Sequence, residues 1–249
     1  MAMEQDLLHL RIVCPPPGQG ALEVRPIVSG RDLLANGFDR GIGASPQQLL
    51  DTGGPLHATA TPHEVRLAGA GCGEEGCCGA LYVTVARDGE QVVWTGWRDP
   101  ADNGLHLPEM RFGAEQYEAE VRRAEADRAW EWPGRVVARR LEARLKACGE
   151  WLARWECEVE AVWSSREDPD RIYVVLMHSP AGPAEGDRPW LQFGVTLPIK
   201  TDDPTGQAER LEAQLTAGDP RAVADVWGGS EEYAERLGYP WPPVHPSDV

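Results

Sequence analysis

Short stretches with a period of two and longer ones with a period near 3.6 succeed each other along this chain, and their order predicts its architecture. Leu7 to Val13 is apolar-rich and runs into Cys14-Pro15-Pro16-Pro17-Gly18, where proline ends any strand. Leu22 to Val28 reads as a strand, with Pro26 arguing for an edge position, and Ser29-Gly30-Arg31-Asp32 as a turn. Residues 36–56 are glycine-rich and loop-like, with a short helix at Pro46–Leu50. His63 to Leu67 is another strand. Leu81 to Val85 and Gln91 to Trp94 flank Asp88-Gly89, which is a hairpin signal.

Helical spacing takes over at Ala114. A charged helix runs to Trp130, with Tyr117, Val121 and Ala124 near one face. Trp132-Pro133 breaks it, and Pro133 opens a second helix on which Val137, Leu141, Leu145 and Cys148 share a face. The period then returns to two. Cys157, Val159, Ala161 and Trp163 alternate with Glu158, Glu160 and Val162; Ile172 to Met177 is a continuous apolar run; Trp190 to Leu197 makes a third strand. These three form an antiparallel meander under the two preceding helices. Gly206 to Leu215 is a short helix, Arg221 to Leu237 holds one or two more, and the proline-rich tail from Tyr239 lies along the surface.

Strands, helices, strands and helices follow in that order, without strict βαβ alternation and without an internal repeat. The expected class is α+β: antiparallel sheets with helices packed on one face, a division into two subdomains being left open. The parts would be residues 1–105, β-rich with a cysteine-rich turn, and residues 106–249, helices plus a three-stranded antiparallel meander and C-terminal helices. A polar link at 98–113 joins them.

Composition narrows the function. Hydrophobic residues make up 42% of 249 positions, enough for a real core. The formal net charge is −16. Nucleic-acid affinity rests on Lys and Arg, and an anionic membrane repels such a chain, so neither partner is expected. The plain consequence of the charge is solubility; the sharper one is an acidic surface that docks a basic protein partner. No segment approaches the roughly 18 apolar residues of a membrane span. Glu4 and Asp6 precede the first apolar stretch, which is not the pattern of a signal peptide, so a cytoplasmic location is expected. Lys146 and Lys200 are the only lysines among 24 cations, a bias of GC-rich codon usage.

The candidate chemistry centres on Gly71-Cys72-Gly73-Glu74-Glu75-Gly76-Cys77-Cys78-Gly79. Three thiols among glycines can converge, and His57 and His63 upstream can complete a set of soft ligands for zinc. The spacing is not a repeated C-x2-C pair, however, and Glu74 and Glu75 oppose a depressed thiol pKa. A tight structural entry into the Leu81–Val85 hairpin is the simpler account, with metal binding and thiol redox chemistry left open. The formal G-x-G-x-x-G at Gly71, Gly73 and Gly76 precedes a strand rather than a helix, so it is not a dinucleotide turn. No other catalytic signature is present, and the six histidines are scattered; His178, ending an apolar run, is the best candidate for a buried one. The tryptophans at 130, 132, 151, 155 and 163 read as core rather than cleft.

Three segments carry a resemblance: Glu75-Gly76-Cys77-Cys78-Gly79-Ala80-Leu81-Tyr82-Val83, Arg128-Ala129-Trp130-Glu131-Trp132-Pro133 and Pro189-Trp190-Leu191-Gln192-Phe193-Gly194. They resemble a family of actinobacterial proteins of unknown function, over most of the chain. The resemblance implies a cytoplasmic protein from a GC-rich genome and carries over no catalytic residue.

The leading expectation is a non-enzymatic intracellular protein that binds a basic protein partner, of inhibitor or immunity type. The alternative is a zinc-binding or thiol-redox protein using Cys72, Cys77 and Cys78 with His57 or His63. An enzyme without recognisable motifs, and the oligomeric state, stay open.

Overall fold

Alternate burial along Leu8–Val13 (β1) and Glu23–Val28 (β2) makes them antiparallel partners in the computed structural model, which describes residues 5–38, 41–51, 53–69, 79–102, 105–179, 189–200 and 202–244. Arg31–Asp32 (β3) completes a three-stranded sheet through the two-residue turn Ser29-Gly30. Both turn residues have positive φ (48° and 80°), the twist that suits a tight hairpin. The order β1-β2-β3 puts β2 in the middle, so Pro26 is not on an edge strand. It is tolerated because it faces Leu10 in a non-hydrogen-bonded pair. The Leu10 N–H points away from β2, to Glu120, and the Val24 N–H points away from β1, to the Ala44 carbonyl. Pro26, two residues on from Val24, removes no rung.

Asp32 caps the helix Leu33–Gly37 (α1), its carboxylate accepting from the Leu34 and Ala35 amides. Pro46–Leu49 (α2) has proline in its first turn, as expected. A second sheet contains, in spatial order, Ile42–Gly43 (β4), His63–Gly69 (β5), Ala80–Asp88 (β6), Gln91–Arg98 (β7) and Met110–Gly113 (β8), all antiparallel. The β6–β7 turn is Gly89-Glu90, with Gly89 at φ 59°, one residue beyond the Asp-Gly pair that signals it. The strand β8 lies within the polar 98–113 link, where four residues were too few to show a period.

Ala114–Ala126 (α3) buries Tyr117, Val121 and Ala124, as their spacing predicts, together with Glu120. Trp94, Phe112 and Tyr117 form an edge-to-face cluster, with ring centroids 5.3 Å apart for Trp94–Phe112 and 6.1 Å for Trp94–Tyr117. Their polar atoms are satisfied in series: Trp94 Nε1 donates to the Tyr117 hydroxyl, which donates to the Leu56 carbonyl.

These elements constitute one compact unit, Met1–Trp130; the other is Glu131–Val249. The link at 98–113 and α3 both fall inside the first unit.

In the second unit, Pro133–Ala147 (α4) and Gly149–Arg154 (α5) precede the sheet strands Cys157–Trp163 (β9), Arg171–His178 (β10) and Leu191–Pro198 (β11). Pro204–Thr216 (α6), a 3-10 turn at Pro220–Val223, Asp225–Gly229 (β12) and Glu231–Leu237 (α7) follow. The meander is present, but β12 adds a fourth strand, giving the order β12-β11-β10-β9. The helices packed together on it are α4 and α6 rather than α3 and α4, burying Val137, Leu141, Leu145 and Leu211 against Ile172, Val174, Leu176 and Phe193. Cys148 falls at the C-terminal cap of α4 instead of on its buried face, with Sγ 3.3 Å from the Arg144 carbonyl.

Among the described residues every pairing between two of these strands is antiparallel, and with seven helices there the fold is α+β. No helix among those residues is long and apolar enough to cross a membrane.

Candidate functional site

Cys72, Cys77 and Cys78 lie outside the described residues. His57 and His63 lie within them. The His57 Nε2 is 2.6 Å from the Glu125 carboxylate on α3, and the His63 Nε2 is 2.7 Å from the Pro55 carbonyl oxygen. In both rings this nitrogen is already committed to a protein oxygen. Among the described residues no group of three or more His, Cys, Asp or Glu side chains could hold a metal ion.

The tertiary structure brings together a different cysteine and histidine. Cys157 and His178 are directly opposite on β9 and β10. His178 is 2% exposed. Its Nδ1 is 3.0 Å from the Glu156 carbonyl and its Nε2 is 3.1 Å from the Tyr233 hydroxyl, on α7. A carbonyl only accepts, so Nδ1 carries the proton and Nε2 accepts from Tyr233. The two rings are parallel within 3°. The Cys157 thiol donates to the Trp155 carbonyl at 3.2 Å. Burial pushes this thiol up to about 11, and Asp219 and Glu156 add to the effect against the opposing Arg221. A protonated thiol beside an imidazole whose lone pair is taken is neither nucleophile nor base. His178, through its hydrogen bond with Tyr233, fastens α7 to the sheet, with Cys157 beside it on β9.

The other face of this sheet is built differently. The register of β9 against β10 skips Glu160: Ala161 faces Val175, and Val159 faces Leu176. This bulge reverses the alternation. Cys157, Val159 and Val162 face the helices, whereas Ala161 and Trp163 turn to the opposite face. There Trp163 stacks on Tyr173 with centroids 4.1 Å apart and planes 17° apart. Tyr173 in turn meets Trp227, whose ring lies over Gly194. Val244 of the tail joins this patch, its N–H donating to the Val226 carbonyl.

No family profile, no curated protein and no solved structure matches this chain.

Trp163 remains 38% exposed, the least covered tryptophan in the patch. It ends β9, an outer strand of its sheet with which only β10 pairs among the described residues. Glu156, Glu158 and Glu160 are exposed at alternate positions along this strand and its entry. Gln192 donates to Glu160 at 2.7 Å. Beyond Trp163, the Ser165 hydroxyl donates to Glu167 at 2.7 Å and holds that carboxyl below its ordinary range. An aromatic plate thus sits at one end of a row of carboxylates. The sequence missed the plate because strict alternation places Trp163 with Cys157 in the core; the bulge at Glu160 decides otherwise.

Proposed function

We propose that this is a cytoplasmic, non-enzymatic protein that binds a basic protein partner, as an inhibitor or immunity-type protein does, and that β9 with Trp163 is its contact surface. The observation that carries this reading is the exposed Trp163 ring, stacked on Tyr173, beside Glu158 and Glu160 on an outer strand. An outer strand offers backbone donors and acceptors to an added strand, and alternate side chains then decide which strand is accepted. Rows of glutamate repel a second copy of the same edge but complement arginine and lysine. Trp163 supplies a π-face for one such cation. The net charge of −16 strengthens the long-range attraction. The described cysteines Cys14, Cys148 and Cys157 are all free, which supports a reducing compartment.

The test uses a synthetic extended peptide alternating arginine with valine, and its glutamate counterpart, with tryptophan fluorescence as the readout. The arginine peptide should bind, more weakly as salt rises, and the glutamate peptide should not. Trp163→Ala and the double change Glu158→Gln with Glu160→Gln should each weaken binding. Equal binding of both peptides, or indifference to all three substitutions, removes the basis for this reading.

A further inference from the structure

Glu158 and Trp163 are five residues apart, and on a regular strand residues five apart point to opposite faces. The residue skipped at Glu160 cancels one step, so both stand on the face of the sheet away from the helices. Ala161 lies on that face between them, packed with Tyr173 and Val175. Glu158 is opposite Met177, Ala161 opposite Val175 and Trp163 opposite Tyr173. Along the outer strand this face therefore presents a carboxylate, a methyl group and an indole, one at every second rung.

The backbone of β9 is ordered just as definitely. The Ser179 N–H donates to the Glu156 carbonyl, and the Ile199 N–H to the Asp170 carbonyl. Carried along the register, these two bonds direct the backbone groups of Tyr173, Val175 and Met177 toward β9, and those of Ile172, Val174 and Leu176 toward β11. Glu158, Ala161 and Trp163 are thus the residues bonded to β10. Val159 and Val162 turn their N–H and C=O groups outward, where no strand among the described residues meets them. An added strand makes its hydrogen bonds there. Its residues opposite Glu158, Ala161 and Trp163 then fall in non-hydrogen-bonded pairs, in which side chains approach most closely.

Resting on the reading of β9 as the contact surface, we infer that this edge selects an antiparallel segment with two cations four residues apart and an apolar residue midway. The first cation lies over the Trp163 ring, the apolar side chain covers Ala161, and the second cation meets Glu158. The spacing is four rather than five because the partner has no residue opposite the bulge. Tyr173 stacks on the Trp163 ring, and 38% of Trp163 stays exposed to take the cation. Glu160 already accepts from Gln192 at 2.7 Å, so the middle position needs no charge. Cations three residues apart would fall on opposite faces, and only one of them would be met. Antiparallel pairing is the mode of every described pair in this sheet and the more stable one per residue.

Three capped peptides with serine–threonine flanks and the cores Arg-Thr-Val-Thr-Arg, Arg-Thr-Val-Arg-Thr and Gln-Thr-Val-Thr-Gln are titrated into the full-length, isotope-labelled protein. Amide shifts in NMR spectra give the affinities, and hydrogen exchange at Val159 and Val162 reports strand addition. The first peptide should bind about three-fold or more tighter than its isomer, the worth of one cross-strand ion pair. It should also slow exchange at both valines, and the glutamine peptide should bind more weakly than either. Glu158→Lys should change the preference at one end alone, favouring Arg-Thr-Val-Thr-Glu over Glu-Thr-Val-Thr-Arg. Equal binding of the two arginine peptides, the opposite order with Glu158→Lys, or unchanged exchange at Val159 and Val162 would overturn this inference while a basic partner still stands. Failure of both arginine peptides to bind would remove the basic partner and this inference together.

Discussion

Glu120 is a charged residue in buried surroundings. It lies on a helix of charged residues, yet only 8% of it is exposed. Burial pushes its carboxyl up, but the Arg123 guanidinium and the Leu10 amide outweigh burial and hold it below its ordinary range. Leu10 N–H donates at 2.6 Å, and Arg123 Nε and Nη2 donate at 2.8 and 2.7 Å. Glu120→Ala leaves a buried amide without an acceptor, and should cost about 1–3 kcal/mol in urea unfolding. The pH dependence has a definite sign. The folded value lies below the ordinary 4.5, so the folded state holds fewer protons as pH falls past it. The stabilisation is complete above the unfolded value and is lost as pH drops through the folded one; acid unfolding of Glu120→Gln should lack this component. The signal was present in the sequence, because Tyr117, Glu120, Val121 and Ala124 lie three and four residues apart on one face. A carboxylate on that stripe reads as solvent-facing until its partners on β1 are known. Cys157 supports a second prediction at this scale. With its thiol buried and pushed up to about 11, iodoacetamide should label Cys14, which is exposed, well before Cys157. Peptide mapping of the folded protein checks this, and early labelling of Cys157 would show that the His178 joint opens.

At the scale of elements, strands of six or more residues were legible and very short ones were not. β6, β7, β10 and β11 follow their apolar runs to within a few residues. β8 and β12, with four and five residues, carry too little period to separate them from loop, and pairing with β7 and β11 makes them strands. The bulge in β9 is invisible for another reason: it depends on the register against β10, and one skipped residue exchanges the two faces. Packing of single atoms governs the aromatic face as well. A Cβ at Gly194 would sit 1.9 Å from the Trp227 ring, so Gly194→Ala must displace that ring. A loss of about 1–3 kcal/mol is expected, measured by chemical denaturation, with an altered tryptophan emission. The β6–β7 turn yields a milder effect. Gly89 has φ 59° and open space beside it, so Gly89→Ala should cost about 1–2 kcal/mol through backbone strain alone.

For the whole molecule, the apolar clusters divide as the compact units do. Among the described residues one runs from Leu8 to Ala124, the others lie between Val137 and Val244, and no cluster includes residues of both units. Each unit therefore has its own hydrophobic driving force, and residues 1–130 and 131–249 expressed separately should each unfold cooperatively by circular dichroism. A non-cooperative transition in either fragment would show that its core is incomplete alone. By itself the sequence determined the α+β class, the positions of the main hairpin and meander, and the burial of helix faces such as Val137, Leu141 and Leu145. All of these follow from local period and turn chemistry, which act within a few residues. It also determined an acidic charge balance. The tertiary structure decided which helices pack together on the four-stranded sheet of the second unit, that Cys157 meets His178, that Trp163 faces outward, and that Arg139, Arg140 and Arg144 line one groove with Thr205. Those outcomes depend on register and on contacts between residues tens of positions apart, and no local pattern encodes either.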